Sequence, residues 1–487
     1  MNIQQTEDTI CAIATAQGGA IGTIRVSGAQ AIAITDRIFT PISGKPLTER
    51  KPYTLTFGHI LSPAGEIIDE VLVSLFRAPH SYTGEDSVEI SCHGSSYILQ
   101  QVMQLLIKNG CRAAGPGEYT QRAFLNGKMD LSQAEAVADL ITSTSAATHR
   151  MAMNQMRGGF SRELSALREK LLHLTSLMEL ELDFSDHEEL EFADRSELEE
   201  IAQQIEQVIS HLVDTFSVGN ALKNGVPVAI VGETNAGKST LLNALLNEER
   251  AIVSDIHGTT RDVIEDTMNL GGVTFRFIDT AGIRETTDTI ESLGIERSFQ
   301  KLEQANIVLW VIDATCAEEQ YHQLTKKILP RCQGKHLVIV LNKTDLLPLT
   351  EKSLSCSVTD TTASMHKPID DLKAILPDLP EDACVISLSA KQKEGLSLLQ
   401  KQLVDFAALP DLSQNDVVVS NIRHYEALSR ALEAIHRVQD GLTMQLSGDL
   451  VSQDLRECLF HLAEIVGGEI TNDEVLGNIF KHFCIGK

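Results

Sequence analysis

The sequence predicts a multidomain protein in which a parallel α/β sheet, with helices on both faces, is inserted into an all-helical domain that follows an α+β N-terminal domain. Three observations carry this prediction. The length of 487 residues exceeds one ordinary hydrophobic core. Apolar strands alternate with helical stretches through residues 221–407. Helical periodicity appears on both sides of that segment.

The N-terminal segment consists of short alternating apolar runs, broken by Gly and Pro, from Thr9 to Tyr119. Alternation with a period of two is typical of strands that bury one face. One helix is predicted near Tyr97 to Lys108. We therefore predict a compact α+β domain over residues 1–127.

Helical periodicity marks residues 128–220 and 408–487, which we interpret as two halves of one helical domain. Such apolar stripes are explained by packing against neighbouring helices and need neither a cofactor nor a membrane. The stripes consist of Leu164, Leu167, Leu171, Leu174 and Met178, then Leu198, Ile201, Ile205, Val208 and Leu212, and later Leu428, Leu432, Ile435, Leu455, Leu459, Leu462 and Val466.

The composition is that of an ordinary globular protein, with 43% apolar and 22% charged residues. No apolar run is long enough to cross a bilayer, and the first residues lack an export signal, so we expect a cytoplasmic protein. Nine scattered cysteines without a C-x-x-C pair indicate reduced thiols rather than zinc. A net charge of −26 would repel nucleic acid, so an RNA substrate would require a basic partner. We interpret the acidic segment from Glu179 to Glu200 as a solvated helix surface and loop.

A phosphate-binding loop is predicted after the apolar run VPVAIVG, because Gly232–Ser239 matches G-x-x-x-x-G-K-[ST] and opens an apolar helix. Gly232 and Gly237 let backbone N–H groups face phosphates, and Lys238 can reach the β and γ oxygens. Ser239 would bind Mg²⁺. Taken alone, the motif is also compatible with chance or with an ATPase. The predicted contacts are Asn235, Ala236, Gly237, Lys238, Ser239 and Thr240.

Two later motifs predict loops that respond to the γ-phosphate. In the stretch from Asp255 to Asp262, Thr260 could complete the shell of Mg²⁺ when that phosphate is present. The run VTFRFID delivers a D-x-x-G motif, in which Asp279 can act through a magnesium-bound water and the Gly282 N–H can sense the γ-phosphate. The predicted contacts are Ser254, Asp255, Ile256, His257, Gly258, Thr259, Thr260, Asp279, Thr280, Ala281 and Gly282.

The base-reading motif N-K-x-D follows the run LVIVLN and comprises Asn342, Lys343, Thr344 and Asp345. The Asp345 carboxylate can accept two hydrogen bonds from N1 and N2 of guanine, whereas adenine lacks that donor pair. Ser389, Ala390 and Lys391 follow the run CVISLS and would supply a backbone contact to the guanine O6. Four signals in this order predict an enzyme that binds and hydrolyses GTP.

The residue after D-x-x-G is Ile283, where Ras-like enzymes place the glutamine that orients the attacking water. An apolar side chain cannot orient water. The downstream stretch offers Arg284, Glu285, Asp288, Glu291 and Glu296 instead, although the residues alone are equally compatible with a solvated switch helix.

The motifs GxxNAGKST, DIxGTTRD, DTAGIRE and NKTD, together with the terminal CIGK, resemble the tRNA-modification GTPase family MnmE, also called TrmE. The resemblance covers the whole chain, because the segment from Pro116 to Ile141 also resembles the family segment that joins the N-terminal and helical domains.

The resemblance implies that K⁺ binds against the phosphates through Asn235 and the backbone of Ser254, Ile256 and Thr259. A monovalent cation there would neutralise charge that develops between the β and γ phosphates and would replace an arginine finger. The resemblance also implies that Glu291 orients the water, while two copies of the GTPase domain face each other in a homodimer. Arg284 is a further catalytic candidate.

The resemblance further implies that 5-formyltetrahydrofolate or a related folate binds at an N-terminal dimer interface through Arg25, Glu89, Lys128 and the terminal Lys487. Arg and Lys suit the folate carboxylates, and a carboxylate suits the pterin donor edge. Without the resemblance, these residues would be interpreted as ordinary surface charges.

Cys484 is a catalytic candidate only if its pKa is lowered. Prenylation of this cysteine is disfavoured, because Gly486 is not aliphatic and Lys487 is outside the usual terminal set. Cys92 and His93 are adjacent on a predicted strand, so they face opposite sides and cannot pair as nucleophile and base.

The function that the resemblance implies is addition of a carboxymethylaminomethyl or aminomethyl group to carbon 5 of the wobble uridine of certain tRNAs, together with the FAD-dependent protein MnmG, or GidA. Two alternatives remain. One is a ribosome-assembly or signalling GTPase whose flanking domains bind RNA or protein. The other is a folate-dependent one-carbon transferase with a regulatory GTPase attached.

Overall fold

The computed structural model describes residues 8–16, 18–183, 195–250, 266–278, 302, 305–347, 383–407, 417–468, 479–480, 483 and 486. The chain divides into two compact units, one comprising residues 1–142, 151–214 and 422–487, and the other comprising 143–150 and 215–421. The α/β segment is thus inserted between helical halves, and the predicted fold class is confirmed. The boundaries at residues 127, 220 and 407 stay a prediction.

The first unit begins with a mixed sheet in the order β3-β4-β5-β6-β2-β1-β7. Two helices, α1 (Ala31–Ile38) and α2 (Ser96–Lys108), pack their apolar sides on one sheet face, where Val26, Ile90 and Leu99 are buried. A third helix, α3 (Glu118–Leu125), follows the last strand. The strands are β1 (Thr9–Ile13), β2 (Ile21–Ser27), β3 (Phe39–Pro41), β4 (Thr54–Leu61), β5 (Ile67–Phe76), β6 (Ser87–His93) and β7 (Cys111–Ala113).

The opposite face of this sheet carries exposed apolar side chains. In the antiparallel pairing of β4 with β5, Phe57 lies directly opposite Leu72, and Leu55 lies on the same side of β4. The exposed fractions are 65% for Leu55, 46% for Phe57 and 45% for Leu72. An apolar group of this kind on a sheet face is typical of a surface that another molecule covers.

The helices that follow are α4 (Leu131–Thr142), α5 (Ala146–Met156), α6 (Gly159–Asp183) and α7 (Arg195–Asp214). All five predicted stripe residues of α6 are buried. On α7 the buried positions are Leu198, Ala202, Ile205, Ile209 and Leu212, while Ile201 and Val208 are half-buried. The buried stripe therefore follows spacings of three and four residues, because the helical repeat is 3.6 residues.

The second unit holds a six-stranded sheet, within the described residues, in the order β13-β12-β11-β8-β10-β9. Neighbouring strands are parallel except for the edge pair β9–β10, which is antiparallel. The strands are β8 (Val226–Val231), β9 (Asp266–Leu270), β10 (Val273–Ile278), β11 (Ile307–Asp313), β12 (His336–Asn342) and β13 (Cys384–Ser387).

Helices cover both faces of this sheet. On one face Leu241 and Leu399 pack against strand residues such as Leu309, and on the other face Tyr321 packs with Trp310. The Trp310 and Tyr321 rings stack with their centroids 5.2 Å apart. The helices are α8 (Phe216–Asn224), α9 (Lys238–Arg250), α10 (Ala317–Ile328) and α11 (Leu396–Ala407).

The chain then returns to the first unit through α12 (Ile422–Thr443) and α13 (Gly448–Val466). These two helices pack against each other, and they also pack against α7 and α6 respectively. Among the described helices, none is both long enough and apolar enough to cross a membrane.

A buried ion cluster joins α4 to the start of α12. The Glu135 carboxylate accepts from Arg423 Nε at 2.9 Å, and its other oxygen lies 2.7 Å from His424 Nε2. Arg423 also donates to the carbonyls of Glu464 at 2.7 Å and Ile465 at 2.9 Å, at the end of α13. Burial opposes ionisation of Glu135, but His424 and Arg423 lower its pKa to about 2. The cluster therefore links helices on both sides of the inserted segment through a carboxylate that is ionised at neutral pH.

We expect Glu135→Ala to lower the free energy of unfolding by about 1–3 kcal/mol, because it removes the carboxylate shared by the half-buried Arg423 guanidinium and the buried His424 ring. Arg437→Ala is the matched control: its partners Asp454 and Glu457 form an exposed cluster worth about 0–1 kcal/mol. Urea unfolding followed by circular dichroism measures both. Equal small losses in the two variants would contradict a stabilising role for the cluster.

The pH dependence has a definite sign. The pKa of Glu135 in the folded chain lies below that of an unfolded glutamate, about 4.3. The stabilisation is therefore complete above that unfolded value and is lost as the pH falls towards 2. The stability difference between wild type and Glu135→Ala should shrink over that window.

Candidate functional site

The carboxyl ends of β8, β11, β12 and β13 meet at one edge of the parallel sheet. The loops that follow them carry Gly232–Gly237, Asp313, Asn342–Asp345 and Ser389. In open α/β sheets ligands bind in the crevice outside this edge. The sheet topology thus brings together three motifs that are far apart in the sequence.

The loop after β8 has a backbone that only certain residues adopt. Gly232 has φ 149°, Asn235 has φ 63° and Gly237 has φ 96°. A Cβ at position 232 would lie 2.1 Å from the Val311 carbonyl oxygen, and one at position 237 would lie 2.2 Å from Asn342 Nδ2. Both positions therefore require glycine, while asparagine is among the residues that tolerate a left-handed conformation.

Lys238 is the first residue of α9, and its ammonium lies over the loop. Nζ donates to the carbonyl of Gly232 at 2.8 Å and to that of Glu233 at 2.7 Å. Burial lowers the pKa of Lys238, and the nearby Glu233 carboxylate opposes that effect. A cation at the N-terminus of a helix, inside a loop of turned N–H groups, is an arrangement that binds phosphate.

Asn342 joins the loop after β8 to the loop after β13. Its Nδ2 donates to the Ala236 carbonyl at 2.9 Å, and its Oδ1 accepts from the Ala390 N–H at 3.0 Å. Nearby, Ser389 Oγ donates to Asp345 Oδ1 at 2.7 Å and so fixes the carboxylate proposed to read the base. A guanine O6 that contacts the Ala390 N–H would share it with Asn342.

The other predicted nucleotide contacts fall into two groups. Ser239 and Thr240 lie in the first turn of α9, Thr344 begins a short turn that ends at Leu346, and Lys391 is exposed after Ala390. The remaining predicted residues lie outside the described residues; they are Ser254, Asp255, Ile256, His257, Gly258, Thr259, Thr260, Asp279, Thr280, Ala281, Gly282, Arg284 and Glu291.

Asp313 also lies at this edge, although the sequence motifs did not single it out. Its Oδ2 lies 2.6 Å from Lys343 Nζ. Its position at the end of the apolar strand IVLWVID was the available signal, because site residues in parallel sheets cluster at carboxyl ends of strands.

A second group of predicted residues meets on the N-terminal sheet. Arg25 on β2 donates through Nε at 2.9 Å and Nη2 at 2.8 Å to Glu89 on β6, its register partner. The guanidinium carbon lies over the rings of Tyr82 and Tyr119, at 5.4 and 5.6 Å from their centroids. Its Nη1 lies 3.4 Å from the Gly486 carbonyl oxygen. Arg25 is thus fixed by an ion pair, two aromatic rings and the C-terminal tail.

The other predicted residues of this group are less closely joined. Lys128 Nζ donates to the Pro79 carbonyl at 3.0 Å, and its stem lies beside Gly84. Cys484 and Lys487 lie outside the described residues.

Cys92 and His93 face opposite sides of β6, as predicted. Cys92 is buried, and burial raises its pKa to about 12, with the nearby Asp69 carboxylate adding to the effect. The His93 ring is exposed and its Nδ1 lies 2.7 Å from Asp69 Oδ1. The two side chains therefore do not form a nucleophile–base pair.

Two family models match consecutive segments of this chain. Residues 9–128 match the model of the GTP-binding protein TrmE N-terminus, and residues 131–484 match that of the MnmE helical domain. The tRNA modification GTPase MnmE of Bacteroides thetaiotaomicron is 68% identical over 99% of this chain and 100% of its own length. That of Phocaeicola vulgatus is 65% identical, over 99% of both chains.

A solved structure, the G domain of FeoB from Methanococcus jannaschii, is 27% identical over 37% of this chain and 97% of its own, with a TM-score of 0.25. The full-length identities and the family models together place the whole sequence in one family. The chain belongs to the MnmE family of tRNA modification GTPases.

Proposed function

We propose that this chain hydrolyses GTP with the help of K⁺ and, together with the FAD-dependent protein MnmG, adds a carboxymethylaminomethyl or aminomethyl group to carbon 5 of the wobble uridine of certain tRNAs. The observation that carries the nucleotide part is the bridge of Asn342 between Ala236 and Ala390. The tRNA part rests on relatives named as tRNA modification GTPases.

Guanine is read by Asp345. Its carboxylate is held by Ser389 through one oxygen and can accept hydrogen bonds from the N1 and N2 groups of the base. If adenine bound instead, it would cover the Asp345 carboxylate without donating to it, and each lost hydrogen bond would cost about 1–3 kcal/mol. Base selectivity therefore follows from a single fixed carboxylate.

The residues proposed to bind Mg²⁺ offer ligands that this metal accepts. Ser239, in the first turn of α9 next to Lys238, offers a hydroxyl oxygen, which is a ligand type that Mg²⁺ accepts. Thr260 would complete the shell and Asp279 would act through a metal-bound water. When bound, the metal neutralises charge on the β and γ phosphates.

K⁺ fits the turn at Asn235. The left-handed φ of 63° gives this loop position an unusual backbone, and the side-chain amide of Asn235 would supply an oxygen ligand. The backbone carbonyls of Ser254, Ile256 and Thr259 would supply further ligands. Because Ile283 cannot orient water, we assign that role to Glu291, and Arg284 is a secondary candidate.

The N-terminal sheet is proposed to bind a folate-type one-carbon carrier, such as 5-formyltetrahydrofolate, at a homodimer interface. Arg25 and Glu89 form a donor–acceptor pair, and the Arg25 guanidinium lies over two tyrosine rings, a combination that suits a planar ligand that carries carboxylates. Lys128 and Lys487 would add positive charge, and Cys484 is a candidate thiol near the tail. The exposed apolar face around Leu55, Phe57 and Leu72 supports the homodimer.

The net charge of −26 is consistent with tRNA contacts made mainly by the partner. An acidic protein with this excess of carboxylates repels phosphate at long range. A complex with a second, more basic protein would provide the surface that the tRNA needs.

We expect GTP hydrolysis to be at least about tenfold faster in KCl than in NaCl at the same ionic strength, because Na⁺ is too small for the same ligand set. Phosphate release at saturating GTP measures the effect. Asn235→Ala should remove the difference between the salts while GDP still binds. Equal rates of the wild-type enzyme in the two salts would refute the potassium-assisted mechanism.

In cells that lack this chain, we expect the wobble uridines of the substrate tRNAs to lose the group at carbon 5. Mass spectrometry of digested tRNA measures the modified nucleoside. A plasmid with the wild-type gene should restore it, and one with Lys238→Ala should not, because that variant loses its phosphate-binding ammonium. Unchanged nucleosides in the deletion strain would refute the tRNA proposal.

A further inference from the structure

Asp313 is the last residue of β11 and lies in register with Asn342 of the neighbouring strand β12. Its carboxylate is held on both oxygens: Oδ1 accepts from the Thr315 N–H at 3.0 Å and from Thr315 Oγ1 at 2.8 Å, while Oδ2 lies 2.6 Å from Lys343 Nζ. The Asp313 N–H donates to Gln320 Oε1 at 2.9 Å. The side chain is only 12% exposed. Asp313 therefore has one fixed position at the edge where the nucleotide motifs meet.

Lys343 is held in an unusual conformation at this edge. Its φ is 66°, in the left-handed region that costs a non-glycine residue roughly 1–2 kcal/mol. Its side chain is 31% exposed, and its ammonium forms the ion pair with Asp313. Burial opposes ionisation of Asp313, but its hydrogen bonds with Lys343 and Thr315 lower the pKa of this carboxyl group, so Asp313 is ionised at neutral pH.

The position of Lys343 in the sequence creates a competition between two carboxylates. Asp345 lies two residues after Lys343 and accepts one bond from Ser389. A partly buried ammonium that is not neutralised is attracted to any carboxylate that its flexible four-carbon stem can reach. An ammonium paired with Asp345 would occupy the oxygens that must accept from the guanine base.

We propose that Asp313 is a positioning residue of the nucleotide site, which holds the Lys343 ammonium away from Asp345 and so keeps that carboxylate available to the base. The proposal rests on the role of Asp345 given under the proposed function. It assigns to Asp313 a selective effect on the binding of the base, rather than a general effect on the fold.

A purely structural role makes a different prediction. Asp313 also accepts from the Thr315 N–H at the start of a short turn, Ala314–Cys316. Asparagine is as good an acceptor as aspartate at such a position, so Asp313→Asn retains this bond and removes only the charge that holds Lys343. The substitution therefore separates the two roles.

The test compares full-length wild type, Asp313→Asn, Lys343→Met and the double variant by titration with fluorescent GDP and IDP analogues. IDP lacks the N2 amino group, so the ratio of the GDP and IDP affinities reports how well Asp345 reads the base. We expect Asp313→Asn to weaken GDP binding about tenfold and to reduce this ratio, because the released ammonium occupies Asp345. Added to Lys343→Met, which has no ammonium to release, Asp313→Asn should cause no further loss.

Additive losses in the double variant, or an unchanged GDP-to-IDP ratio in Asp313→Asn, would overturn the proposal. Thr315→Val is the matched control: it removes one bond to the same carboxylate but leaves the ion pair, and it should keep the wild-type ratio. Asp345→Asn in the same assay distinguishes a failure of the base-reading role of Asp345 from a failure of the positioning role of Asp313. If it leaves the ratio intact, the base-reading role itself fails. If Asp345→Asn abolishes the preference for GDP over IDP while the losses from Asp313→Asn and Lys343→Met are additive, only the role of Asp313 fails.

Discussion

The register of the parallel strands is the constraint on which the nucleotide site depends. Strands β11 and β12 end level with each other, with Asp313 opposite Asn342, and β13 ends one residue earlier, with Ser387 opposite Leu341. A shift of one residue would turn each side chain to the other face of the sheet. Because β11 and β12 are almost wholly buried and helices cover both faces of the sheet, such a shift would also disrupt the packing of apolar side chains, and the hydrophobic core therefore fixes the geometry of this edge.

Asn342 shows how that constraint shapes the proposed binding site. One side-chain amide accepts from Ala390 in the loop after β13 and donates to Ala236 in the loop after β8, so the two loops hold a fixed separation. Gly237 has no side chain because Asn342 Nδ2 occupies the space that a Cβ would need. The glycine in one motif and the asparagine in another are thus two parts of one contact.

Much of the α/β unit could be predicted from the sequence because its signals are local. Apolar runs predicted five of the strands, and the glycines of the phosphate-binding motif predicted the loop after β8. The order of the motifs indicated which loops lie at the carboxyl edge of the sheet. Strand β9 was not predicted, and its antiparallel direction depends on its pairing with β10, which the sequence alone does not specify. Asp313 belongs to no motif, and its proposed role rests on an ion pair with Lys343, 30 residues further along the chain.

The N-terminal unit illustrates what local signals leave out. Arg25 and Glu89 are 64 residues apart and meet only because β2 pairs with β6. The tail near Gly486 reaches the same group from the far end of the chain: a Cβ there would lie 2.6 Å from the Ile13 carbonyl oxygen. Glu135 and Arg423 meet across 288 residues. The resemblance to a known family predicted that Arg25 and Glu89 share a site. The cluster at Glu135, by contrast, is visible only in the structure.

The central claim is that the carboxylate of Asp345 reads guanine at this edge. The most direct measurement is the ratio of GDP and XDP affinities in wild type and in Asp345→Asn. Xanthine carries an oxygen where guanine carries its N2 amino group, so an amide donor should favour it. We expect the variant to prefer XDP, with at least a hundredfold change in the ratio, or about 2.7 kcal/mol. A variant that still prefers GDP as strongly as the wild type would contradict the claim.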